Sequence, residues 1–330
     1  MQPDVSVIVV TWNALDHVDT CLEAVLGAGG AGVQLEVIVV DNASSDGTAA
    51  HVREHWASVK VLEIGRNGGM AAGNNAGMLE ARGRSFLLLN SDAYLQAGAL
   101  RALLDRLTRE GAAVAAVAPR LENVDGSHQR SIRGFPSSWR YATEFLYLRR
   151  LAPRLRATNA FYGAGVRLDE PGWIEWATGA CLLVPRPAVD AVGLMDEGFV
   201  MYGEEVDWLD RMRAVGRRVA WEPSAVVTHV GGGSARREWG RMYQLQLGNH
   251  VRYMALRRGI GPARRTRALL TGSLRLRAGV WSLLGALPIG GSEARGVRRE
   301  RARAFREGAA TVRSMDPARP APPVIPNWPS

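Results

Sequence analysis

The feature that most constrains the fold is the alternation of short apolar runs with amphipathic stretches over the first 120 residues. This rhythm is typical of parallel strands whose connecting helices cover both faces of the sheet. It predicts an α/β fold with a doubly wound, mostly parallel sheet and helices on both faces. The predicted strands are residues 5–10, 36–40, 59–64, 85–89 and 114–118, and the predicted helices are residues 15–26, 46–56, 71–81 and 97–108.

The pattern is weaker in the middle of the chain. We interpret residues 120–172, with one amphipathic stretch at 139–151, as a segment that faces the substrate. A strand at 173–184, a helix at 203–215 and a strand at 218–229 are then predicted, followed by arginine-rich helices. The predicted parts are a domain at 1–235 with halves 1–118 and 119–235, a basic helical extension at 236–315 and a proline-rich tail at 316–330.

Cysteine usage and the N-terminus indicate the compartment. Cys21 and Cys181 lie far apart, without the spacing of a disulfide framework or a metal site. The first residues lack the basic region and the cleavage site of a signal peptide, and we interpret them as leading into the first strand. We therefore expect a reducing, cytosolic location.

The net charge of +9 is unevenly distributed. Between Gly231 and Ser330 there are 19 arginines and five acidic residues, so this third carries +14 and the first 230 residues carry −5. A basic terminal third indicates an anionic surface or an acidic ligand, either nucleic acid or membrane. Lys60 is the only lysine, so a GC-rich genome explains the arginine content equally well.

A stripe of apolar side chains flanked by arginines runs along residues 264–287. Its uninterrupted apolar run is too short to span a bilayer. Two interpretations remain open. The helix either lies at a membrane surface with its arginines toward anionic headgroups, or packs on the preceding domain.

Polar side chains follow each of the first four predicted strands. In a doubly wound sheet, ligands bind beyond the carboxyl ends of the strands. A turn or helix cap is the ordinary role for any one of these residues, and Asp46 is expected to cap the second helix. Four such ends nevertheless converge on one crevice. The candidate ligand-binding residues there are Thr11, Asn13, Asp41, Asn42, Arg66, Asn67, Asn90 and Ser91.

Two features of this crevice suit a nucleotide. The Asp41 carboxylate can accept hydrogen bonds from a base or a ribose. The helix that follows Arg66 and Asn67 carries Gly73 and Asn74 in its first turns, where N–H groups suit a diphosphate.

Asp92 and Asn90 offer oxygen atoms to Mg²⁺ or Mn²⁺, and His229 ends a late strand from which it could complete the metal shell. The alternatives are that Asp92 caps a helix and that His229 is structural.

Two adjacent glutamates, Glu204 and Glu205, open a predicted helix. Acidic side chains are favoured in the first turn by the helix dipole, which explains them without a function. A carboxylate placed near an acceptor hydroxyl could instead act as a general base.

Taken together, these residues resemble the family 2 glycosyltransferases with the GT-A fold, in the branch of bacterial rhamnosyltransferases and galactofuranosyltransferases. The resemblance covers about residues 4 to 255, and its seven blocks in order are specific although each alone is weak. The blocks are VSVIVVTWN (5–13), VVDNASSDGT (39–48), NGGMAAGNN (67–75), LNSD (89–92), TGAC (178–181), YGEEVD (202–207) and HVGG (229–232).

The resemblance assigns roles by position. It implies that Thr11 and Asp41 contact the nucleotide, that Asp92 binds the metal at the donor diphosphate, and that His229 is a second metal ligand. Glu205 inherits the role of base, although relatives usually carry aspartate there, and Glu204 is its rival. Asn90 replaces the first aspartate of the Asp-x-Asp pattern, which removes one negative charge from the metal site.

The implied reaction is a single displacement with inversion, assisted by Mn²⁺ or Mg²⁺. The implied donor is a TDP- or UDP-linked, rhamnose-like sugar. The acceptor is a glycan or a polyprenyl-diphosphate-linked sugar of the bacterial cell surface, with no nucleic acid as partner. Peripheral contact with the inner face of the cytoplasmic membrane would suit such an acceptor.

Three alternatives remain. A degenerate homologue would bind nucleotide or glycan without turnover. A sugar-phosphate nucleotidyltransferase normally needs a basic glycine-rich loop after the first strand and catalytic lysines, which Thr11-Trp12-Asn13 and a single lysine do not supply. A dinucleotide oxidoreductase would require G-x-G-x-x-G at that position, and this pattern is missing there.

Overall fold

The computed structural model describes residues 2–28, 32–152, 154–155, 157–163, 165–231, 239–287 and 291–323. Its centre is a sheet in the order β3-β2-β1-β4-β10-β6-β11-β5, with β8 paired to β11. The strands are β1 (Val5–Thr11), β2 (Leu35–Asp41), β3 (Lys60–Glu63), β4 (Ser85–Asn90), β5 (Ala93–Leu95), β6 (Val114–Glu122), β8 (Gly172–Ile174), β10 (Cys181–Pro185) and β11 (Arg218–His229).

The pairing divides the sheet into two halves. β3, β2, β1 and β4 are parallel, as are β6 and β11. β10 runs antiparallel between β4 and β6, and β5 and β8 run antiparallel to β11. A small second sheet pairs β7 (Ile132–Arg133) with β9 (Trp176–Ala177). The predicted mixed α/β architecture with a mostly parallel centre is confirmed.

Helices cover both faces of the sheet. They are α1 (Leu15–Ala28), α2 (Thr48–His55), α3 (Gly69–Glu80), α4 (Ala99–Glu110), α5 (Ser138–Phe145), α6 (Leu148–Leu151), α7 (Arg186–Val192), α8 (Glu204–Ala214), α9 (Trp239–Arg258), α10 (Ile260–Ala286) and α11 (Ser292–Ser314). One apolar cluster joins α1, α2 and α4 to the sheet. The cluster on the other face includes α3 and α8, and it continues into α9, α10 and α11.

The structure departs from the sequence prediction at 173–184, where the expected strand is three short strands, β8, β9 and β10, which belong to two sheets. The amphipathic stretch at 139–151 forms two helices, α5 and α6. The alternative in which Asp92 caps a helix does not hold, because the residues after it form β5.

The C-terminal helices pack on the face of the sheet that α3 and α8 cover, through apolar side chains such as Leu247, Leu270 and Leu274. The described part of the proline-rich segment also packs, because Arg252 of α9 donates a hydrogen bond to the carbonyl of Pro320. The other expected tail residues, 324–330, lie outside the described residues. Among the described helices, none has the length and apolar character needed to cross a bilayer.

Two buried carboxylates of α8 bind arginines of α9. Asp207 is fully buried and lies 2.5 Å from Arg257 Nε and 3.1 Å from Arg211 Nε. Asp210, also buried, accepts from Arg258 Nη1 at 2.7 Å and from the Tyr253 hydroxyl at 2.7 Å. These contacts join the first C-terminal helix to the helix that begins with Glu204.

We predict that Asp207→Asn lowers the free energy of unfolding by about 3 kcal/mol, because it leaves two partly buried guanidinium groups without their counter-charge. Urea denaturation followed by circular dichroism measures the change. Asp105→Asn is the matched control, since the exposed pair of Asp105 with Arg101 should contribute at most about 1 kcal/mol. Equal changes in the two variants would contradict the prediction.

Candidate active site

The loops after β1 and β2 are tied together by hydrogen bonds at the carboxyl edge of the sheet. Thr11 and Asp41 are register partners, both buried, and Thr11 Oγ1 donates to Asp41 Oδ1 at 3.0 Å. The second Asp41 oxygen accepts from the Ser44 N–H at 2.8 Å. Asn13, whose φ is 51°, donates its N–H to Ser44 Oγ and accepts the Ser45 N–H at 2.8 Å. The two loops therefore form one rigid wall.

Asp46 extends this wall to two helices. It accepts from the Thr48 N–H at 3.0 Å, at the start of α2, and from the Leu15 N–H at 3.0 Å, at the start of α1. Burial opposes ionisation of Asp46, yet these hydrogen bonds keep the pKa of its carboxyl below the usual value. The predicted capping role of Asp46 is confirmed by these contacts.

The start of α3 forms the next part of the crevice. Gly69 has φ of 76°, and a Cβ there would overlap the carbonyl of Val200, which accepts the Met70 N–H at 3.0 Å. Asn42 Nδ2 donates to the Gly69 carbonyl at 3.2 Å. Asn42 Oδ1 and Asn74 Oδ1 are buried without a hydrogen-bond partner among the described residues. Two acceptor oxygens thus remain available to a ligand with N–H or O–H donors.

Other residues of this segment have structural contacts. Gly73 faces β1, where a Cβ would lie 2.6 Å from Val10 Cγ1, so close helix-to-strand packing accounts for this glycine. Asn67 Oδ1 accepts the Gly69 N–H at 3.2 Å, which fixes the turn. Arg66 is exposed and lies 3.5 Å from Glu197. The roles of Gly73, Asn67 and Arg66 in ligand binding stay predictions.

Asn90, Asp92 and His229 meet at the end of β4. Asp92 Oδ1 lies 3.3 Å from His229 Nε2, and Asn90 Nδ2 lies 3.4 Å from the same nitrogen. Ser91 lies in the turn between them. Asp92 Oδ2 accepts the Gly231 N–H at 3.1 Å. Burial raises the pKa of the Asp92 carboxyl, but the hydrogen bond and charge of His229 outweigh it and hold the pKa below the usual value.

Gln129, which sequence reasoning missed, sets the tautomer of His229. The Gln129 amide donates to Asn123 Oδ1 at 3.0 Å and to the His229 carbonyl at 3.3 Å, so its oxygen points at His229 Nδ1, 2.7 Å away. An amide oxygen only accepts, and Nδ1 therefore carries the proton. The neutral ring then has its lone pair on Nε2, as a metal-binding histidine does, and Nε2 donates to Asp92 only when the ring is protonated.

These groups fit a divalent cation. Asn90 Oδ1 is buried and has no partner among the described residues, and Asp92 Oδ1 faces His229 Nε2. Neighbouring ligand atoms of an octahedral Mg²⁺ lie about 3 Å apart, close to the Asp92–His229 distance. Within the described ranges, no group of three or more His, Cys, Asp or Glu side chains could hold a metal. A cation here would therefore depend on ligand oxygens as well, as Mg²⁺ commonly does.

Glu204 and Glu205 begin α8 after a turn in which Tyr202 and Gly203 have φ of 66° and 128°. Glu204 is buried, and its Oε2 has no partner among the described residues. Burial and the charge of Glu205 raise the pKa of Glu204 well above its usual value, so we interpret it as a neutral acid. A carboxyl that is already protonated cannot accept a further proton, so a neutral Glu204 would not act as the base.

Glu205 is partly exposed and accepts the Gly203 N–H at 3.3 Å. Burial raises its pKa, and hydrogen bonds from the Gly203 and Gly179 N–H groups limit that rise. Gly179 lies against Glu205, with its Cβ position 3.6 Å from Glu205 Cβ. The next residue, Ala180, accepts the Asn90 N–H at 2.9 Å. Adjacent residues of one segment thus contact Glu205, through Gly179, and the backbone of Asn90, through Ala180.

Comparisons with known proteins agree on one family. Residues 6–169 match the family model described as Glycosyl transferase family 2. The N-acetylglucosaminyl-diphospho-decaprenol L-rhamnosyltransferase of Mycobacterium tuberculosis is 31% identical over 234 residues, which are 68% of this chain and 75% of that protein.

Two solved structures share the fold. GalNAc-T7 with UDP, GalNAc and Mn²⁺ has a TM-score of 0.57 at 16% identity, over 93% of this chain and 56% of that chain, so this chain spans little more than half of it. The mannosyltransferase PcManGT from Pyrobaculum calidifontis, in complex with GDP-Man and Mn²⁺, has a TM-score of 0.53 at 18% identity, over 95% of this chain and 87% of that chain. At these identities the likeness concerns the fold alone.

Proposed function

Since this chain belongs to glycosyl transferase family 2 and is a hexosyltransferase with the predicted GT-A-type fold, we propose that it transfers a rhamnose-like sugar from a TDP- or UDP-linked donor, with inversion, to a hydroxyl of a polyprenyl-diphosphate-linked acceptor. The observation that carries this proposal is that Gly179 contacts Glu205 while the adjacent Ala180 accepts the Asn90 N–H, so one segment joins the candidate base to the end of β4. An oxygen-rich cation site and a carboxylate at one crevice are what nucleotide-sugar transfer needs.

The donor nucleotide lies, in this proposal, along the wall formed after β1 and β2. Asp41 accepts from the base or the ribose, and Thr11 holds that carboxylate in place. The free oxygens of Asn42 and Asn74 accept from further donor groups of the nucleotide or the sugar. Mn²⁺ in the two solved structures with this fold supports a divalent cation at Asp92 and His229.

A cation bound there would neutralise the negative charge that develops on the leaving diphosphate. The residues of the chain do the remaining work. Gln129 holds the proton of the neutral His229 ring on Nδ1, which leaves the Nε2 lone pair for a metal, and the Gly231 N–H orients Asp92. Glu205 removes the proton from the acceptor hydroxyl while that oxygen bonds to the anomeric carbon. The bond from this carbon to the diphosphate breaks, and the nucleoside diphosphate leaves.

We predict that release of UDP or TDP from a panel of nucleotide sugars requires Mn²⁺ or Mg²⁺ and acceptor. Asp92→Ala should lose the metal dependence and bind donor more weakly, because it removes the only carboxylate of the candidate metal site among the described residues. Coupled nucleotide-release assays over a metal titration measure both effects. An unchanged titration in Asp92→Ala would refute the metal assignment.

Absence of nucleoside diphosphate release with every donor would favour the degenerate homologue, whereas pyrophosphate as the product would favour a nucleotidyltransferase. Gln129→Leu provides a finer control. It leaves both ligands in place but removes the hydrogen bond that orients His229, so the apparent metal affinity should fall by about tenfold or more.

We predict that Glu205→Gln lowers kcat by about 10² to 10⁴ with donor KM retained, because the amide cannot accept the proton. Glu204→Gln is the matched control. Glu204 is interpreted as already neutral, so the amide replaces a protonated acid of the same shape and should leave kcat within about threefold of wild type. Reversed effects in the two variants would assign the base to Glu204.

The same assignment fixes the direction of the pH profile. The base works only when ionised, so kcat/KM falls as pH decreases through the pKa of Glu205. Since that pKa is raised, the acidic limb should lie above the usual value of a glutamate, about 4.3. A limb at or below that value would contradict the proposed base.

A membrane-linked acceptor suits one exposed surface of α10. Leu276, Val280, Leu283 and Leu284 are exposed, and their spacing places them on one side of the helix. Ala263, Leu270 and Leu274 pack on the domain from the other side. The helix thus packs on the domain, and its exposed apolar stripe supports the proposed membrane contact. Free thiols at Cys21 and Cys181 support a reducing, cytosolic face.

We predict salt-sensitive binding to vesicles that contain anionic phospholipid, because exposed arginines such as Arg264 and Arg275 accompany the stripe. Co-sedimentation at low and high salt measures it. The double variant Leu276→Ser/Leu283→Ser should bind several-fold more weakly. Leu79→Ser is the control, because Leu79 is 72% exposed, as Leu276 (69%) and Leu283 (71%) are, but lies on α3. Failure of wild type to co-sediment at low salt would refute membrane contact.

A further inference from the structure

Three arginines surround one aromatic ring between α5 and β8. The Cζ atoms of Arg133 and Arg149 each lie 4.8 Å from the centre of the Tyr162 ring, and that of Arg130 lies 5.9 Å away. Cations favour the face of an aromatic ring, but three of them at one ring repel one another. We call this group the arginine cluster.

Its positive charge is only partly balanced. Glu144 is the carboxylate nearest the ring; it hydrogen-bonds to Tyr162 and lies 3.7 Å from Arg149 Nε. Arg149 Nε is buried without a hydrogen-bond partner, and Arg133 Nη1 donates to the carbonyl of its own neighbour, Ile132. The cluster therefore carries an excess of two positive charges and keeps unused N–H donors.

Arg133 is partly buried and lies near another arginine. Burial lowers its pKa and the charge of Arg130 acts in the same direction, whereas Tyr162, Glu144 and Glu205 act in the opposite direction. A guanidinium stays protonated regardless, so its desolvation and its repulsion by Arg130 are a cost to the folded chain. An anion that bridges the arginines would remove this cost and satisfy the unused donors.

The cluster lies one strand away from the proposed base. Arg133 belongs to β7, which pairs with β9, and the Ser131 carbonyl accepts the Thr178 N–H at 3.0 Å. Thr178 precedes Gly179, which lies against Glu205. The negative charge of Glu205 is also among the groups that raise the pKa of Arg133.

On its other side, the cluster adjoins the exposed apolar surface. Arg149 is part of α6. Leu151, at the end of this helix, and Tyr147, just before it, are both exposed. Arg277 of α10 lies over the Tyr147 ring at 4.3 Å and donates to the Phe145 carbonyl at 2.7 Å. The order from the surface inward is apolar side chains, the arginine cluster and Glu205.

We propose that Arg130, Arg133 and Arg149 bind the diphosphate of a lipid-linked acceptor, with the lipid toward the apolar surface and the sugar toward Glu205. The inference rests on the proposed function and adds the site at which the diphosphate of the acceptor binds. A diphosphate that joins a lipid to a sugar carries two negative charges, which match the excess of the cluster. Guanidinium groups bind such oxygens in a bidentate manner.

The test is the binding of farnesyl diphosphate in neutral detergent micelles with EDTA, measured by isothermal titration calorimetry, with farnesol as the probe without phosphate. Wild type binds farnesyl diphosphate, and Arg133→Gln/Arg149→Gln weakens binding at least about tenfold, because two charge-assisted contacts are lost. Farnesol shows no difference. Arg264→Gln/Arg265→Gln, at exposed arginines of α10, and Asp92→Ala, at the donor site, keep wild-type affinity.

Absence of binding by wild type, or equal binding by the cluster variant, overturns the proposal. If the double variant does not fold, Arg130→Gln decides instead. Arg130 is exposed and contacts the ring without a described hydrogen bond, so its loss weakens farnesyl diphosphate binding without affecting the fold.

Two further measurements separate the alternatives. Co-sedimentation with anionic vesicles stays at the wild-type level in the cluster variant; a loss there equal to the loss of farnesyl diphosphate binding would assign the cluster to lipid headgroups and overturn the proposal. Metal-dependent binding of the nucleotide-sugar donor also stays at the wild-type level. Absence of donor binding in wild type would refute the proposed function, while the farnesyl diphosphate result would still decide whether the cluster binds diphosphate.

Discussion

The buried pairing of Asp207 and Asp210 with arginines of α9 is the contact on which the second half of the molecule depends. Such pairs contribute little net stability, since desolvation offsets the attraction, but a carboxylate left without its partner is costly. α8 therefore has one orientation relative to the C-terminal helices. Because Glu205 lies at the first turn of α8, these distant helices position the proposed base. The C-terminal helices thus belong to the framework that orients the proposed base, whatever else they bind.

The opposite wall of the crevice is rigid for a different reason. There, side chains bind backbone groups of neighbouring loops, as Asp41 binds the Ser44 N–H and Asp46 binds the Thr48 N–H. Gln129 likewise fixes the His229 ring, because its amide oxygen accepts from His229 Nδ1. Most polar side chains of the crevice are fixed in this way, whereas single oxygens of Asn42, Asn74 and Asn90 stay unused. Fixed surroundings with a few free acceptors are what a preorganised ligand site requires.

The sequence predicted β1, β2, β4 and β11 to within about two residues, because continuous apolar runs that end in polar turns have one interpretation in a buried parallel sheet. It also placed Asp92, His229 and Glu205 at strand or helix ends that converge. It missed the break within 173–184, since the short polar interruptions at Glu175 and at Thr178-Gly179 do not show that the three strands have different partners. It could not find Gln129 or Arg133, whose roles come from contacts with His229, about 100 residues away along the chain, and with Tyr162, about 30 residues away.

The distribution of charge shows why net charge is a poor guide to a binding site. The C-terminal third carries most of the excess arginine. Three of these arginines, Arg252, Arg257 and Arg258, are nevertheless paired with buried or partly buried carboxylates of the preceding part of the chain. The unbalanced arginines at Tyr162 lie in the preceding part of the chain, where the net charge is negative. An arginine indicates an anionic partner when the fold leaves its N–H groups without acceptors, and only the tertiary structure reveals which arginines meet that condition.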